Sequence, residues 1–512
     1  MKKGERIEGF QIKSIDVLPK LKNTMIQLEH EKTGAKMIHL SNEDDNNGFA
    51  VAFRTTPVDS TGVAHILEHT ALCGSRRYPV RDPFFSMIKR SMKTFMNAFT
   101  ASDWTMYPFA TQNETDYFNL LNVYLDAALF PLLSEESFKQ EGHRLEFEEQ
   151  EDPNSPLTIQ GIVYSEMKGA MSSQSQIMHR SMGNALFPTV TYRHNSGGDP
   201  ECIADLTHKQ LLDFHRFYYH PSNAYFYTYG DIDLEKRLQV INVSLTEFDK
   251  IDIDTIVPDE KRFTSPQSFR YQYPLNQAEN DGEKCQIALG WLTCSIQDPV
   301  EILSLQVINL ILLGHSGAPL RKKLLESKLG KSLADTTGFE DEIKEAYFSV
   351  GLQAVAEKNI PQVEKLIFET LQEIVDAGIE PEQVNSAIHQ MELDTREISG
   401  GHYPYSLNLL FRFFGTWMHG GDPLNSIDFD NILRQLKTRI EEENYLESQI
   451  KKYLIDNPHR VKVILVPDTE LEGKKLSAVR ASLEKIKSFL SDSEKEKLLL
   501  DSKALRTAQE TK

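Results

Sequence analysis

The sequence predicts an α+β fold: two similar domains, each a mainly antiparallel sheet covered by helices, followed by a C-terminal helical hairpin. Three observations support this: an alternating strand meander near the start, helical patterns interleaved with short strands, and two Asn/Pro turns that each precede a final strand. We predict a first domain over 1–250, a linker over 251–270, a second domain over 271–470 and the hairpin over 471–512.

The first domain begins with an antiparallel meander. Phe49, Val51 and Phe53 alternate with small residues, which is typical of a sheet with one buried face. The predicted elements are strands over 23–30, 35–40, 48–54 and 224–229, and a helix over 61–73 followed by Gly74 as its C′ residue.

The second domain repeats this pattern after a polar linker. Pro361 opens an amphipathic helix that ends at Gly378, and an Asn457-Pro458 turn precedes the last strand. The predicted elements are strands over 286–292 and 461–466 and helices over 301–313 and 361–377. The similar ending of both domains is a weak signal of an internal repeat.

The tail predicts a helical hairpin with an apolar stripe. Apolar residues recur there at alternating spacings of three and four, at Leu476, Val479, Leu483, Ile486 and Leu490. Ser493 with Glu496 could form a capping box for the second helix. Such stripes need a surface to pack on, so we expect the chain to belong to a larger assembly.

Composition and net charge limit the classes of binding partner and the cellular compartment that we expect. The net charge of −19 argues against nucleic acid or an anionic membrane as the main partner. The sequence contains no run of about 18 apolar residues, so we predict no membrane-spanning helix. The four cysteines form no CxxC motif and the first residues contain no apolar leader, so we expect a cytoplasmic protein.

The pattern His65-Ile66-Leu67-Glu68-His69 is the inverted zinc-peptidase motif HxxEH. On a helix the two histidines lie about 40° and one turn apart, so both imidazoles can reach one metal ion. Glu68 projects about 60° from His65 on the other side, where it can act on a nearby water. The alternative is an exposed helix that carries these residues by chance.

A zinc site needs a third protein ligand and an open position for water. Cys73 repeats the i+4 spacing from His69, but it lies eight residues beyond His65, a helical rise of about 12 Å. Because zinc–ligand bonds are only roughly 2.0–2.3 Å long, we expect Cys73 to be a packed thiol. Spacing alone leaves the third ligand open among many carboxylates and imidazoles.

Residues 53–75 and Tyr78-Pro79 closely resemble the pitrilysin-type metallopeptidases, or inverzincins, and within them the presequence protease and falcilysin branch. Further matches lie between about residue 15 and 470, among them Thr94–Thr100, Gly161–Gly169 and Asn195–Pro200. The resemblance is specific in these segments.

The resemblance implies a zinc endopeptidase with one zinc ion per chain, held by His65, His69 and Glu166. Glu68 would be the general base that takes a proton from the zinc-activated water and delivers it to the leaving amine. The implied substrates are unfolded peptides such as targeting-type peptides. Other relatives carry a further glutamate seven residues before the ligand, where this chain has Ile159, so support for the histidines stays unassigned.

The resemblance also implies that an extended peptide pairs with an edge strand, which maps to Asn97, Ala98, Phe99 and Thr100. Backbone pairing of this kind binds peptides with little regard for sequence. The alternative is an interior strand with no free edge.

Full members of the family have two similar halves joined by a helical hairpin, and residues 476–512 resemble that hairpin. The resemblance therefore implies the first half of an enzyme whose C-terminal half is its partner. The family's carbonyl-polarising Arg and Tyr lie in the second half. We expect this chain alone to hold zinc and to hydrolyse peptides weakly or not at all.

Two function classes follow. The first is a zinc endopeptidase, or its catalytic half, acting on unfolded peptides. The second is a non-catalytic subunit or scaffold of the same fold that binds peptides or partners without hydrolysis. The combination of His65, Glu68, His69 and Glu166 favours the enzyme, because a scaffold has no need of the base.

Overall fold

The computed structural model describes residues 1–510 except 82, 277, 279–281, 397–400 and 443, with only the backbone of 85, 396 and 508–510. The chain divides into two compact units. Met1–Met171, His194–Ile256 and Glu472–Lys512 form the first, and Ser172–Arg193 and Val257–Leu471 form the second. This division differs from the predicted domains, because residues 172–193 group with the second unit and the hairpin with the first.

The first unit contains a nine-stranded, mainly antiparallel sheet, counted over the described residues. The strands up to residue 230 are β1 (Arg6–Ile7), β2 (Phe10–Leu18), β3 (Asn23–His30), β4 (Lys36–Ser41), β5 (Asn47–Arg54), β6 (Lys93–Met96), β7 (Phe99–Thr100), β8 (Trp104–Thr111), β9 (Arg144–Phe147), β10 (Leu157–Gln160) and β11 (Ala224–Gly230). The sheet order is β1-β2-β3-β4-β11-β5-β8-β6, with β7 beside β8, while β9 and β10 form a separate ribbon.

Nine α-helices lie between or after these strands within the described part of the first 250 residues. They are α1 (Val63–Ala71), α2 (Pro83–Arg90), α3 (Glu114–Leu129), α4 (Glu135–Glu141), α5 (Ile162–Ala170), α6 (Gln174–Leu186), α7 (Pro200–Ile203), α8 (His208–Tyr218) and α9 (Leu234–Leu245). All eight residues of β5 are buried, so the prediction of a single buried face is wrong for this strand. The small side chains of Ala50 and Ala52 suit a second covered face.

The second unit contains a six-stranded sheet, again counted over the described residues. Its strands are β12 (Gln267–Pro274), β13 (Cys285–Ser295), β14 (Ser332–Leu333), β15 (Gly338–Glu340), β16 (Glu345–Val355) and β17 (Arg460–Asp468). The sheet order is β12-β17-β13-β16-β14, with β15 beside β16. Helix α6 packs on this sheet through Met178, Met182 and Leu186, which explains why residues 172–193 group here.

The remaining helices of the second unit cover its sheet. They are α10 (Pro299–Leu313), α11 (Pro319–Glu326), α12 (Ile360–Ala377), α13 (Pro381–Arg396), α14 (Tyr405–Met418), α15 (Leu424–Ile427), α16 (Phe429–Ile440) and α17 (Tyr445–Ile450). Helix α12 agrees with the amphipathic helix predicted over 361–377, and Gly378 ends it at φ +80°.

Both sheets share a topological feature that the similar Asn/Pro turns indicate. In the first unit β11 lies between β4, to which it runs parallel, and β5, to which it runs antiparallel. In the second unit β17 lies between β12 and β13 with the same orientations. The last strand of each unit is therefore inserted into the middle of its sheet. The predicted α+β class with similar sheet domains is confirmed.

The tail forms the predicted hairpin of α18 (Leu471–Phe489) and α19 (Asp492–Glu510). The capping box uses Ser491 and Glu494 rather than Ser493 and Glu496: the Ser491 amide donates to Glu494 Oε2 at 2.8 Å, and the Glu494 amide donates to Ser491 Oγ at 3.4 Å. No helix in the described ranges combines the length and apolarity needed to cross a membrane.

Candidate metal centre

Helix α1 positions the HxxEH motif and begins after Gly62, whose φ of +73° favours glycine. A Cβ atom on Gly62 would lie 2.8 Å from the Cα of Gly198, so the two backbones pack in direct contact. The helix is shorter than predicted, because it ends at Ala71 and Leu72 caps it. Gly74 therefore lies beyond the cap rather than directly after the helix.

One carboxylate from α5 approaches both histidines of α1. Oε2 of Glu166 lies 3.7 Å from Nε2 of His65 and 3.8 Å from Nε2 of His69. Ligand atoms of the three residues lie within 4.8 Å of one another, the only such group of possible metal ligands in the described ranges. Glu166 is half exposed and the histidines are partly buried, so the cluster faces an open side.

The opposite ring nitrogen of each histidine is held by an acceptor. Nδ1 of His65 lies 3.0 Å from the carbonyl oxygen of Gly197, and Nδ1 of His69 lies 3.1 Å from Oε2 of Glu141. A carbonyl and a carboxylate only accept, so each Nδ1 carries the hydrogen and each Nε2 keeps a lone pair for a metal.

The charges around His69 affect its pKa. Burial works to lower that pKa, but the hydrogen bond to Glu141 and the negative charges of Glu68, Glu141 and Glu166 outweigh it and raise the pKa. Glu68 and Glu141 are both buried. Three carboxylates beside two imidazoles form a negatively charged group that attracts a cation.

The predicted base is held by the predicted substrate strand. Thr100 donates its hydroxyl hydrogen to Oε2 of Glu68 at 2.6 Å. Because Thr100 lies in β7 and Glu68 in α1, this bond joins the sheet edge directly to the metal-site helix.

The predicted substrate residues lie at one edge of the first sheet. Asn97 and Ala98 connect β6 to β7, which contains Phe99 and Thr100. The Asn97 amide donates to Pro108 and the Ala101 amide to Trp104, both on the β8 side. Backbone groups alternate in direction along a strand, so those of Ala98 and Thr100 point away from β8. In the described ranges, β7 pairs with β8 alone.

Cys73, His215 and His220 make local hydrogen bonds and lie outside the group of possible metal ligands. The Cys73 thiol donates to the His69 carbonyl at 3.4 Å and is not part of the ligand group. His215 bonds the Ala128 carbonyl, and burial lowers its pKa to about 4. His220 accepts a hydrogen bond from the Ser222 amide.

Sequence reasoning missed Glu141 and the Gly197 carbonyl. Glu141 ends α4 and carries no motif of its own among 75 acidic residues, so no sequence signal selects it. Gly197 does have a signal, because it lies in the Asn195–Pro200 segment that carries part of the family resemblance. Ile159 is partly buried on β10 and packs among apolar side chains.

The residues present suit a zinc ion. Two imidazole nitrogens and one carboxylate oxygen are a donor set that zinc takes in catalytic sites, where a further position stays open. Acceptors on both Nδ1 atoms add the outer support that histidine ligands usually have.

Two family models match the chain. "Insulinase (Peptidase family M16)" matches residues 54–178, a range that includes His65, Glu68, His69 and Glu166. "Peptidase M16 inactive domain" matches residues 205–391. The chain thus has one segment similar to each of the two M16 domain types.

Individual relatives extend this similarity along nearly the whole chain. The mitochondrial presequence protease of Xenopus laevis is 42% identical over 498 residues, which cover 97% of this chain and 48% of the relative. The mitochondrial presequence protease of Mus musculus is 40% identical over 500 residues, with the same shares. The chain therefore spans about half the length of these relatives.

A solved protease structure from Helicobacter pylori has the same fold, with a TM-score of 0.66 and 16% identity over 85% of this chain and 98% of that one.

The relatives correct the predicted cellular location. The cytoplasmic location is wrong, since the presequence proteases of both animals are named mitochondrial. Free cysteines do not separate one reducing compartment from another. The resemblance to the pitrilysin-type enzymes is confirmed, and the chain belongs to peptidase family M16.

Proposed function

We propose that this chain is the catalytic half of a zinc-dependent endopeptidase that degrades unfolded peptides. One observation carries the proposal: His65, His69 and Glu166 converge within 4.8 Å beside Glu68. Membership of family M16 supports a peptidase, and the similarity to presequence proteases supports targeting-type peptides as the substrate class.

The metal would be bound by Nε2 of His65, Nε2 of His69 and a carboxylate oxygen of Glu166. A bound zinc ion supplies a Lewis acid that acidifies water and polarises a carbonyl group. Gly197 and Glu141 keep the two imidazoles in the orientation and tautomer that this binding needs.

Glu68 would be the proton carrier of the reaction. Its carboxylate takes a proton from the attacking water and releases it to the leaving amine, as a general base and then a general acid. Thr100 keeps one carboxylate oxygen of Glu68 in place through its 2.6 Å hydrogen bond. Because Glu68 is buried, its charge is poorly screened by solvent and acts strongly on a neighbouring group.

The peptide would add a strand at the sheet edge formed by Asn97–Thr100. Backbone groups of Ala98 and Thr100 that point away from β8 can pair with an extended peptide. Thr100 would then contact the peptide through its backbone and Glu68 through its side chain, which places the docked peptide beside the base.

The C-terminal half of the same enzyme is the proposed partner, since the relatives are about twice as long as this chain. The experiment mixes this chain with a separately produced second half and follows cleavage of a basic peptide. We expect cleavage in the mixture, little or none by this chain alone, and none in a mixture containing Glu68→Gln. If both halves are folded and this chain holds its zinc, an intact peptide in the mixture would favour a non-catalytic subunit instead.

A further inference from the structure

The two carboxylates that contact the motif histidines lie on α4 and α5, the helices that directly precede and follow one β-ribbon, β9–β10. Strand β9 starts at Arg144, three residues after Glu141, and β10 ends at Gln160, six residues before Glu166. Arg144 and Gln160 pair with each other, so Glu141 and Glu166 leave the ribbon at the same end.

That end of the ribbon packs closely against the metal-site helix. A Cβ atom on Gly161 would lie 2.0 Å from the carbonyl oxygen of Gly142, so the two backbones are in contact. A Cβ atom on Gly142 would in turn lie 3.0 Å from Cγ2 of Ile66, a residue of the HxxEH motif. Small displacements of the ribbon would therefore move both carboxylates relative to the histidines.

The C-terminal hairpin packs against the ribbon. Leu483 of α18 is buried with Phe147 of β9 and Leu157 of β10. Six further, partly buried apolar residues pack against this cluster: Leu145, Ile159, Val479, Leu490, Leu498 and Leu499. The predicted apolar stripe of the hairpin thus packs on the ribbon within this chain.

Polar contacts fix the hairpin at two further points. Lys487 donates to the Ser155 carbonyl at 2.7 Å, in the loop that joins the two ribbon strands. Lys139 of α4, the helix that ends with Glu141, pairs with Asp501 of α19 at 3.0 Å. The hairpin therefore contacts the loop, the apolar residues and the α4 end of the ribbon.

We propose that the hairpin is a positioning element of the metal site: by holding the β9–β10 ribbon, Leu483 and Lys487 set Glu141 and Glu166 against His69 and His65. The inference rests on the proposed zinc site and extends it. Loosening the hairpin lets the ribbon move, and the three ligands then meet less often at the spacing that a metal needs.

The test measures the zinc dissociation constant of the full chain by competition with a chelator, together with the thermal midpoint. Leu483→Ser should raise the dissociation constant about ten-fold or more, in the range found for outer support of zinc ligands. Lys487→Ala, a milder change that decides the matter if Leu483→Ser does not fold, should raise it several-fold. The matched control Leu500→Ser changes a residue of the same hairpin that is 60% exposed, and should leave it unchanged.

A second control separates positioning from general stability. Leu28→Ala removes a buried side chain of β3 in the same unit and should lower the thermal midpoint without weakening zinc binding. Equal zinc affinity in the hairpin variants and the unaltered chain overturns the inference, and so does equal weakening in Leu28→Ala. If the unaltered chain itself binds no zinc, the proposed function fails first, and that result is distinct from either outcome.

Discussion

Nδ1 of His69 lies 3.1 Å from Oε2 of Glu141, a carboxylate 72 residues further along the chain. The bond joins the HxxEH helix to the end of α4 and gives the imidazole a fixed orientation. In the proposed zinc site, Glu141 supports the imidazole of His69, a role that Ile159 cannot take because its side chain accepts no hydrogen bond.

Glu141→Gln tests this role. The amide keeps the size of the side chain but loses the charge that favours the Nδ1 hydrogen, so zinc affinity should fall by about 10- to 100-fold. Chelator competition measures the change. Glu136→Gln, an exposed residue of the same helix, is the control, and an unchanged affinity in Glu141→Gln would show that Glu141 gives His69 no support.

Thr100→Val tests the hydrogen bond to Glu68. The substitution preserves shape and removes the donor, and a hydrogen bond to a charged group contributes about 1.5–3 kcal/mol. We expect kcat in the mixture of both halves to fall by about ten-fold or more, with KM changed much less. Thr94→Val removes a hydroxyl from β6 at the same sheet edge and should retain full kcat; a comparable loss there would contradict the assignment.

Gly161→Ala tests the backbone contact at the end of the ribbon. The added Cβ atom would lie 2.0 Å from the Gly142 carbonyl oxygen, and backbone cannot move aside as a flexible side chain does. The free energy of unfolding should fall by about 1–3 kcal/mol. Denaturant unfolding measures it against Gly169→Ala, where a Cβ atom meets nothing within 4 Å.

Glu340→Gln tests a partly buried acid of the second unit. Burial and the neighbouring charges of Glu342 and Asp341 raise the pKa of Glu340 to about 7, although a backbone hydrogen bond opposes them. A raised pKa means that the folded chain binds the proton more tightly than the unfolded chain. Stability from this group is thus present below about pH 4.5 and is lost as the pH rises towards 7.

The glutamine mimics the protonated acid, so the variant should match the unaltered chain at pH 4.5. At pH 8 it should be more stable by on the order of 2 kcal/mol. Urea unfolding at both pH values measures the difference. Glu382→Gln, an exposed change in α13, should show no such dependence; a constant difference between the two pH values would refute the raised pKa.

Patterns along the chain predict the parts of this molecule whose neighbours are close in sequence. The strand over 23–30 follows from the meander pattern, and the structure has it as β3. The helix over 361–377 follows from its apolar periodicity and from Pro361 and Gly378 at its ends, and the structure has it as α12. The His65–His69 geometry follows from the helical period. The ends of helices are harder to predict. In α1, for example, Leu72 is the C-cap, and Gly74 does not directly follow the helix.

Contacts between distant segments are what local patterns could not supply. Glu166 was predicted from the family resemblance, because no spacing rule selects it. Neither the resemblance nor the spacing gave a signal for Glu141. The covering of both faces of β5 and the grouping of residues 172–193 with the second unit depend on tertiary packing. The hairpin pattern was correct, but only the structure identifies the β9–β10 ribbon as the surface on which it packs.

The central claim is a metal site of His65, His69 and Glu166, and metal analysis of the purified chain tests it most directly. The account predicts about one zinc ion per chain, lost in His69→Ala and in Glu166→Ala, and retained in Glu68→Gln, which removes the base but no ligand. A folded chain without zinc, or one that keeps its zinc in both ligand variants, would contradict it.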